Sequence, residues 1–146
     1  MVKIIFENKS DNALPEYAHE GDSGMDVRAF LEEPVVLGPL ERRVFPTGLK
    51  AIIPDGYEIQ VRSRSGMAAK RGIAVLNSPG TVDANFRGEI GVILVNLSNE
   101  YQTIEPGERI AQLVVAKVEK ADIELTDEVS TNTTRNDGAY GSTGRF

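Results

Sequence analysis

The chain has no cysteine and a single histidine, His19. That removes disulfides, thiol catalysis and the usual zinc sites, and leaves little from which to build a Ser-His-Asp triad. Acid–base chemistry therefore falls to carboxylates, and a bound metal should be a hard cation held by oxygen. The net charge is −6, so broad nucleic-acid binding is not expected, because it needs a basic face to neutralise phosphates. A small anionic substrate stays open, provided that arginines gather locally.

Five segments place polar residues where packing alone would not ask for them. Gly21-Asp-Ser-Gly-Met-Asp-Val-Arg-Ala is a Gly-rich turn running into a strand, with Asp26 and Arg28 on the face opposite Val27. A solvated, salt-bridged strand face has the same composition. Arg62-Ser-Arg-Ser-Gly-Met-Ala puts Ser65 and Gly66 at the start of an expected helix, beside two arginines. Free N–H groups at a helix start attract anions, although a plain N-cap serine reads the same way. Leu76-Asn-Ser-Pro-Gly-Thr-Val-Asp-Ala-Asn-Phe-Arg-Gly-Glu-Ile lies between two apolar runs and reads as a turn-rich hairpin. It contains Asp83 and Phe86, and a carboxylate there is ordinarily a turn residue. In Pro106-Gly-Glu-Arg-Ile-Ala-Gln-Leu-Val-Val, Gln112 sits inside an apolar strand, where its amide needs a partner. The fifth segment, Asn132-Thr-Thr-Arg-Asn-Asp-Gly-Ala-Tyr-Gly-Ser-Thr-Gly, has the composition of a disordered tail. Its N–H groups, hydroxyls and the Arg135 guanidinium are also what a polyphosphate requires.

Short strands must position these segments. The 146 residues fit one domain, 40% apolar and 26% charged, with 14 glycines and 7 prolines marking frequent turns. Strands are expected at Val2–Phe6, Met25–Phe30, Glu41–Phe45, Lys50–Ile53, Tyr57–Ser63, Ile73–Leu76, Ile90–Leu97 and Arg109–Val118. Tyr57-Glu-Ile-Gln-Val-Arg alternates like a half-buried strand, and Ile90–Val95 is apolar nearly throughout, like one buried on both faces. Ser65-Gly-Met-Ala-Ala-Lys-Arg-Gly should form the one short helix, from a Ser start to a Gly stop. Many short strands with one helix argue for an all-β sandwich, jelly roll or barrel. The expected division is a β domain over residues 1–125 and a flexible tail over 126–146. No apolar run approaches the ~18–20 residues of a membrane span. The N-terminus lacks a signal or transit pattern, so the expected compartment is the cytoplasm.

Taken together and in order, the five segments resemble the homotrimeric dUTP pyrophosphatases. The family's motifs read here as Ser23-Gly-Met-Asp-Val-Arg-Ala, Arg64-Ser-Gly-Met-Ala, Gly80-Thr-Val-Asp-Ala-Asn-Phe-Arg-Gly-Glu, Gly107-Glu-Arg-Ile-Ala-Gln-Leu and Arg135-Asn-Asp-Gly-Ala-Tyr-Gly-Ser-Thr-Gly. The resemblance runs from about Leu14 to Gly144, and five ordered motifs are far more specific than one Gly-rich loop. It implies a distorted jelly roll or β-barrel, assembled as a homotrimer with active sites between subunits. It also implies hydrolysis of dUTP to dUMP and pyrophosphate, which keeps uracil out of DNA and supplies dUMP for thymidylate synthesis. No nucleic acid or membrane partner is implied.

The resemblance also assigns roles. Asp83 would activate water for attack on the α-phosphorus. Mg²⁺ would be held mainly by the triphosphate, with Asp26 reaching it through water. Arg64, Ser65, Gly66 and Gln112 would hold phosphates, joined by Arg135, Ser142 and Thr143 from the tail. The backbone around Asn77, Gly80 and Val82 would read uracil, Phe86 would lie under the deoxyribose, and Tyr140 would stack on the base. The family usually has Tyr at the position of Phe86 and Phe at that of Tyr140; a ring still fills each space. Asn136, Asp137 and Ala139 replace commoner Gly or Ser, and Asp137 adds a negative charge near the phosphates. A dCTP deaminase on the same fold would carry a Glu where this chain has Ile93.

Overall fold

The computed structural model describes all 146 residues. Eleven strands and one helix follow in the order β1 (Ile5–Asn8), β2 (Met25–Arg28), β3 (Val35–Leu37), β4 (Arg42–Pro46), β5 (Leu49–Ile52), β6 (Tyr57–Arg62), α1 (Ser65–Arg71), β7 (Ile73–Val75), β8 (Gly80–Val82), β9 (Gly91–Asn96), β10 (Gln102–Ile104) and β11 (Arg109–Lys117). The expected all-β, jelly-roll-like class with one short helix holds. No helix is long and apolar enough to cross a membrane.

All strand pairs are antiparallel. A four-stranded sheet runs β2-β11-β6-β8 and a three-stranded sheet runs β4-β9-β7, while β1 pairs β5 and β3 pairs β10. Alternation decides which side chains enter the core. In β6, Ile59 and Val61 are buried while Glu58, Gln60 and Arg62 face outward. In β2, Met25 and Val27 point in and Asp26 and Arg28 point out. β9 is central in its sheet, and Val92, Leu94, Val95 and Asn96 are buried. Phe45, Leu37, Ile59, Leu94, Ile110 and Leu113 anchor a single apolar cluster.

Several strand boundaries differ from the expected ones. The first strand starts at Ile5, three residues late, because Ile5 already faces Ile52 and the partner chain then reaches Pro54, which has no N–H to continue a ladder. Strand β2 stops at Arg28: the β11 register shifts between Arg109 and Ala111, after which the Ala29 N–H donates to Glu108 and the Phe30 N–H to Pro46. Strands β3, β8 and β10, of three residues each, lie outside the expected strands; β7 is as short but stands out as the apolar run Ile73–Leu76 between Gly72 and Asn77. The helix start also differs. Arg64, not Ser65, is the N-cap residue, with no side-chain cap bond, and Ser65 is the first helical residue. The helix ends on Gly72, whose φ of 65° is left-handed and whose N–H meets the Met67 and Ala68 carbonyls.

The hairpin between the apolar runs is more elaborate than its sequence suggests. Its flanks, β7 and β9, do pair, with Val75 opposite Leu94. Between them β8 departs to pair β6 in the other sheet, with Gly80 opposite Val61 and Val82 opposite Ile59. The Leu76–Pro79 corner thus joins two sheets, and its Ser78–Pro79 peptide is cis.

Candidate active site

One group of expected residues converges where β2, β11 and the start of α1 meet. Gln112 in β11 lies in register between Asp26 of β2 and Arg62 of β6. From the helix start, Arg64 Nε donates to Asp26 Oδ1 at 3.1 Å and its Nη1 donates to the Arg109 carbonyl at 3.3 Å. The Arg109 guanidinium stands 3.8 Å from Asp26 Oδ2. One carboxylate therefore bridges two cations, each pair partly open to solvent. Gln112 Nε2 donates to the Ser63 carbonyl at 3.2 Å, which supplies the partner its amide required. Ser65 and Gly66 are exposed beside this cluster. The composition suits an anion: guanidinium and carboxamide donors can exchange internal partners for phosphate oxygens.

The second group sits on the corner and loop of β7–β9. Gly80 is buried, and a Cβ there would come within 3.1 Å of the Val61 Cβ and 3.2 Å of Asn77 Nδ2. Asn77 is exposed and Val82 buried. Asp83 opens a turn closed by the Phe86 N–H donating to the Asp83 carbonyl at 3.1 Å. Its carboxylate is exposed and takes part in no hydrogen bond or ion pair. It borders an open cleft shared with Asp55, Tyr57, Glu58, Asn85 and Lys120. The Phe86 ring, 44% exposed, lies against Gly88, where any Cβ would strike it.

The Ser78–Pro79 corner shares a concavity with Arg62 and Ser63, but the Asp83 end of the second group does not meet the first group within one chain. Val82 opposes Ile59 while Gln112 opposes Arg62, three residues further along β6, and β8 and β2 are the outer strands of a four-stranded sheet. Strand spacing and rise put Asp83 roughly 15 Å or more from Asp26. The tail stands apart from both. Every hydrogen bond of residues 126–146 is internal to that segment, including Arg135 Nε to the Gly138 carbonyl at 2.7 Å. Arg135, Tyr140, Ser142 and Thr143 line one small concavity of their own, and the Tyr140 ring is fully exposed.

Three contributors escaped the sequence reading. Arg109 pairs with Asp26, and Ser63 receives Gln112; both depend on strand register. Gly24 is the third: a Cβ there would run into the Gln112 carboxamide. Gly-Met-Asp in the first segment carried that signal, because a strand-entry glycine often marks a close approach.

The chain is similar to known proteins over nearly its whole length. The dUTPase family model matches residues 10–144. The deoxyuridine 5'-triphosphate nucleotidohydrolase of Chlamydia trachomatis is 54% identical over 143 residues, covering 98% of this chain and 99% of that protein. The Fusobacterium nucleatum protein of the same name is 53% identical over 144 residues, covering 99% and 97%. Among solved structures, a mutant dUTPase of Staphylococcus bacteriophage 80alpha with dUpNHpp superposes with a TM-score of 0.86 at 27% identity, covering 98% of this chain and 99% of that one.

Proposed function

Because the chain belongs to the dUTPase family, we propose that it hydrolyses dUTP to dUMP and pyrophosphate with Asp83 as the base that activates water. It is a deoxyuridine triphosphate nucleotidohydrolase; the residue roles and the assembly are the proposal. The observation that carries them is the separation of two complementary half-sites. An anion grip of Arg64, Ser65, Gly66 and Gln112 lies at one end of the four-stranded sheet, and an unpaired carboxylate lies at the other.

In this reading the half-sites meet between copies of the chain, in a homotrimer. The end with Arg62, Arg64 and Arg109 and the end with Asp55, Glu58 and Asp83, beside Lys120, suit a head-to-tail contact, which forms a ring where its rotation closes. The outer face of the three-stranded sheet supports an assembly. Val44, 60% exposed, lies opposite Ile93 with Leu76, 49% exposed, beside it, an apolar strip that a partner would cover.

Asp83 takes the proton of a water aligned on the α-phosphorus. The free carboxylate has no competing partner to give up. Arg64 exchanges Asp26 for a phosphate oxygen, and Gln112 and the Ser65–Gly66 backbone add donors. Mg²⁺ would be held mainly by the triphosphate of the substrate. No cluster of three or more His, Cys, Asp or Glu is placed to hold an ion, so the donor set suits an ion carried by phosphate oxygens, with Asp26 on its waters. Held there, Mg²⁺ would offset charge on the phosphates. The tail closes over the nucleotide, with Arg135, Ser142 and Thr143 on phosphates and Tyr140 stacked on uracil.

Base choice rests on the Leu76–Val82 corner. A tight turn there would leave no room for a thymine methyl, and its backbone pattern would leave the cytosine amino group facing a donor. Phe86 excludes a ribose 2′-OH. Incubation with dUTP, dCTP and UTP plus Mg²⁺ checks this: pyrophosphate is expected from dUTP alone, and no ammonia from dCTP. Ammonia would make the chain a deaminase, and absence of pyrophosphate from dUTP would leave a binding protein.

Gly24 gives a sharp test of the grip. Its backbone is not in the left-handed region, so Gly24→Ala should fold. The new Cβ would push the Gln112 carboxamide off Ser63, raising KM for dUTP roughly 10–100-fold, the worth of a charged hydrogen bond. An unchanged KM with a normal melting curve would show that Gln112 does not hold substrate.

A further inference from the structure

The helix that starts at Arg64 is fastened at its far end too. Arg71, in its last turn, donates from Nη1 to Glu108 Oε1 and from Nη2 to the Thr103 carbonyl, and its Nε reaches Gln102 Oε1 at 3.3 Å. The two charged side chains are only 28% and 24% exposed. The other oxygen of Glu108, Oε2, accepts the Glu105 N–H at 2.9 Å, closing the turn that leads into β11. That turn is docked on the end of β2: Ala29 N donates to the Glu108 carbonyl and Gly107 N to the Ala29 carbonyl, both at 2.9 Å. Arg28 Nη1 adds a bond to the Gly107 carbonyl at 2.8 Å.

The next residue in the chain is Arg109. Its carbonyl receives Arg64 and its guanidinium faces Asp26. The β10–β11 turn therefore grips both ends of α1, through Glu108 at the Arg71 end and through Arg109 at the Arg64 end. A seven-residue helix with one buried residue, Met67, has little packing of its own to set its angle. A guanidinium with three fixed acceptors supplies what packing does not.

We propose that Arg71 and Glu108 are positioning residues. Without touching substrate, they set the placement of Arg64, Ser65 and Gly66 relative to Gln112, and so the affinity for the polyphosphate. The inference rests on the reading that these four residues hold phosphates. Charge alone predicts something different, which makes it testable. Losing Glu108 removes a negative charge near an anion site and should strengthen phosphate binding, while losing Arg71 should weaken it. Positioning predicts that both losses weaken it.

The experiment is calorimetric titration of the full-length protein with pyrophosphate and, separately, with deoxyuridine, together with dUTP kinetics. It uses wild type, Arg71→Ala, Arg71→Lys, Glu108→Gln, Glu108→Ala and the Arg71→Ala/Glu108→Ala double variant. Both alanine variants should weaken pyrophosphate about 10-fold and raise KM for dUTP alike. kcat should fall less than about 3-fold and deoxyuridine binding should stay within about 2-fold. The double variant should be no worse than either single one, and Arg71→Lys should fall between. Should an alanine variant fail to fold, Arg71→Lys and Glu108→Gln carry the same comparison. Tighter pyrophosphate binding on loss of Glu108, or equal loss of pyrophosphate and deoxyuridine binding, would overturn the proposal. So would a lowered melting temperature with both affinities intact. Wild type that binds pyrophosphate but does not hydrolyse dUTP would sink the functional reading while leaving this comparison intact.

Discussion

Asp83→Asn is expected to bind dUTP with near wild-type affinity and to lose about 10²–10⁴-fold in kcat, the usual share of a positioned general base. Asparagine keeps the shape of the side chain but cannot take a proton. The carboxylate is exposed and free of hydrogen bonds and ion pairs, so its replacement removes no structural partner and should not disturb the fold. Steady-state kinetics beside a binding titration with a non-hydrolysable dUTP analogue separate the two effects. Near-normal turnover would mean that another group is the base. The distance between the half-sites extends the prediction. Asp83→Asn and Arg64→Ala chains, each inactive alone, should recover activity when unfolded and refolded together, because one chain then lends Asp83 and another lends Arg64. No recovery would argue that each site belongs to a single chain.

Removal of Arg135–Phe146 should leave a folded protein of unchanged oligomeric state whose kcat/KM falls by at least about 10²-fold. The last buried residue of the chain is Val114, and the last regular element ends at Lys117. Apart from the Asn136 N–H bond to Thr133 Oγ1, the deleted segment forms hydrogen bonds only with itself. Nothing in the core is lost. In the proposed reading, what is lost is Arg135 with two hydroxyls for the phosphates and the Tyr140 ring for the base. One charged hydrogen bond is worth about 1.5–3 kcal/mol and a stacked ring about 0.5–1.5 kcal/mol. Sedimentation, a thermal melt and the pyrophosphate assay together decide the matter. Aggregation or a large drop in melting temperature would make the segment structural.

Much of the site was legible because side-chain period is local. Alternation in Tyr57–Arg62 put Glu58, Gln60 and Arg62 outside, and Asp26 opposite Val27, as the structure has them. Gln112, polar in an apolar strand, was conspicuous for the same reason, and its partner exists. Of the four three-residue strands, only β7 was legible, as the apolar run Ile73–Leu76; β3, β8 and β10 were not, because a period needs more residues than they have. Strand β8 is stable only because β6 offers it a free edge.

By itself, then, the sequence determined an all-β chain with one helix, carboxylate rather than thiol or histidine chemistry, and the five segments that resemble one family. Which segments become neighbours was decided by the tertiary structure. Asp26 met Arg109 through the register of β2 on β11, and Gly24 came under Gln112. Arg71 reached Glu108 across 37 residues of chain, and Asp83 was set apart from Arg64 by the width of a sheet. The contacts between strands follow from pairing and the Arg71–Glu108 contact from docking of the helix on a turn, and both are choices among distant segments that no local pattern encodes.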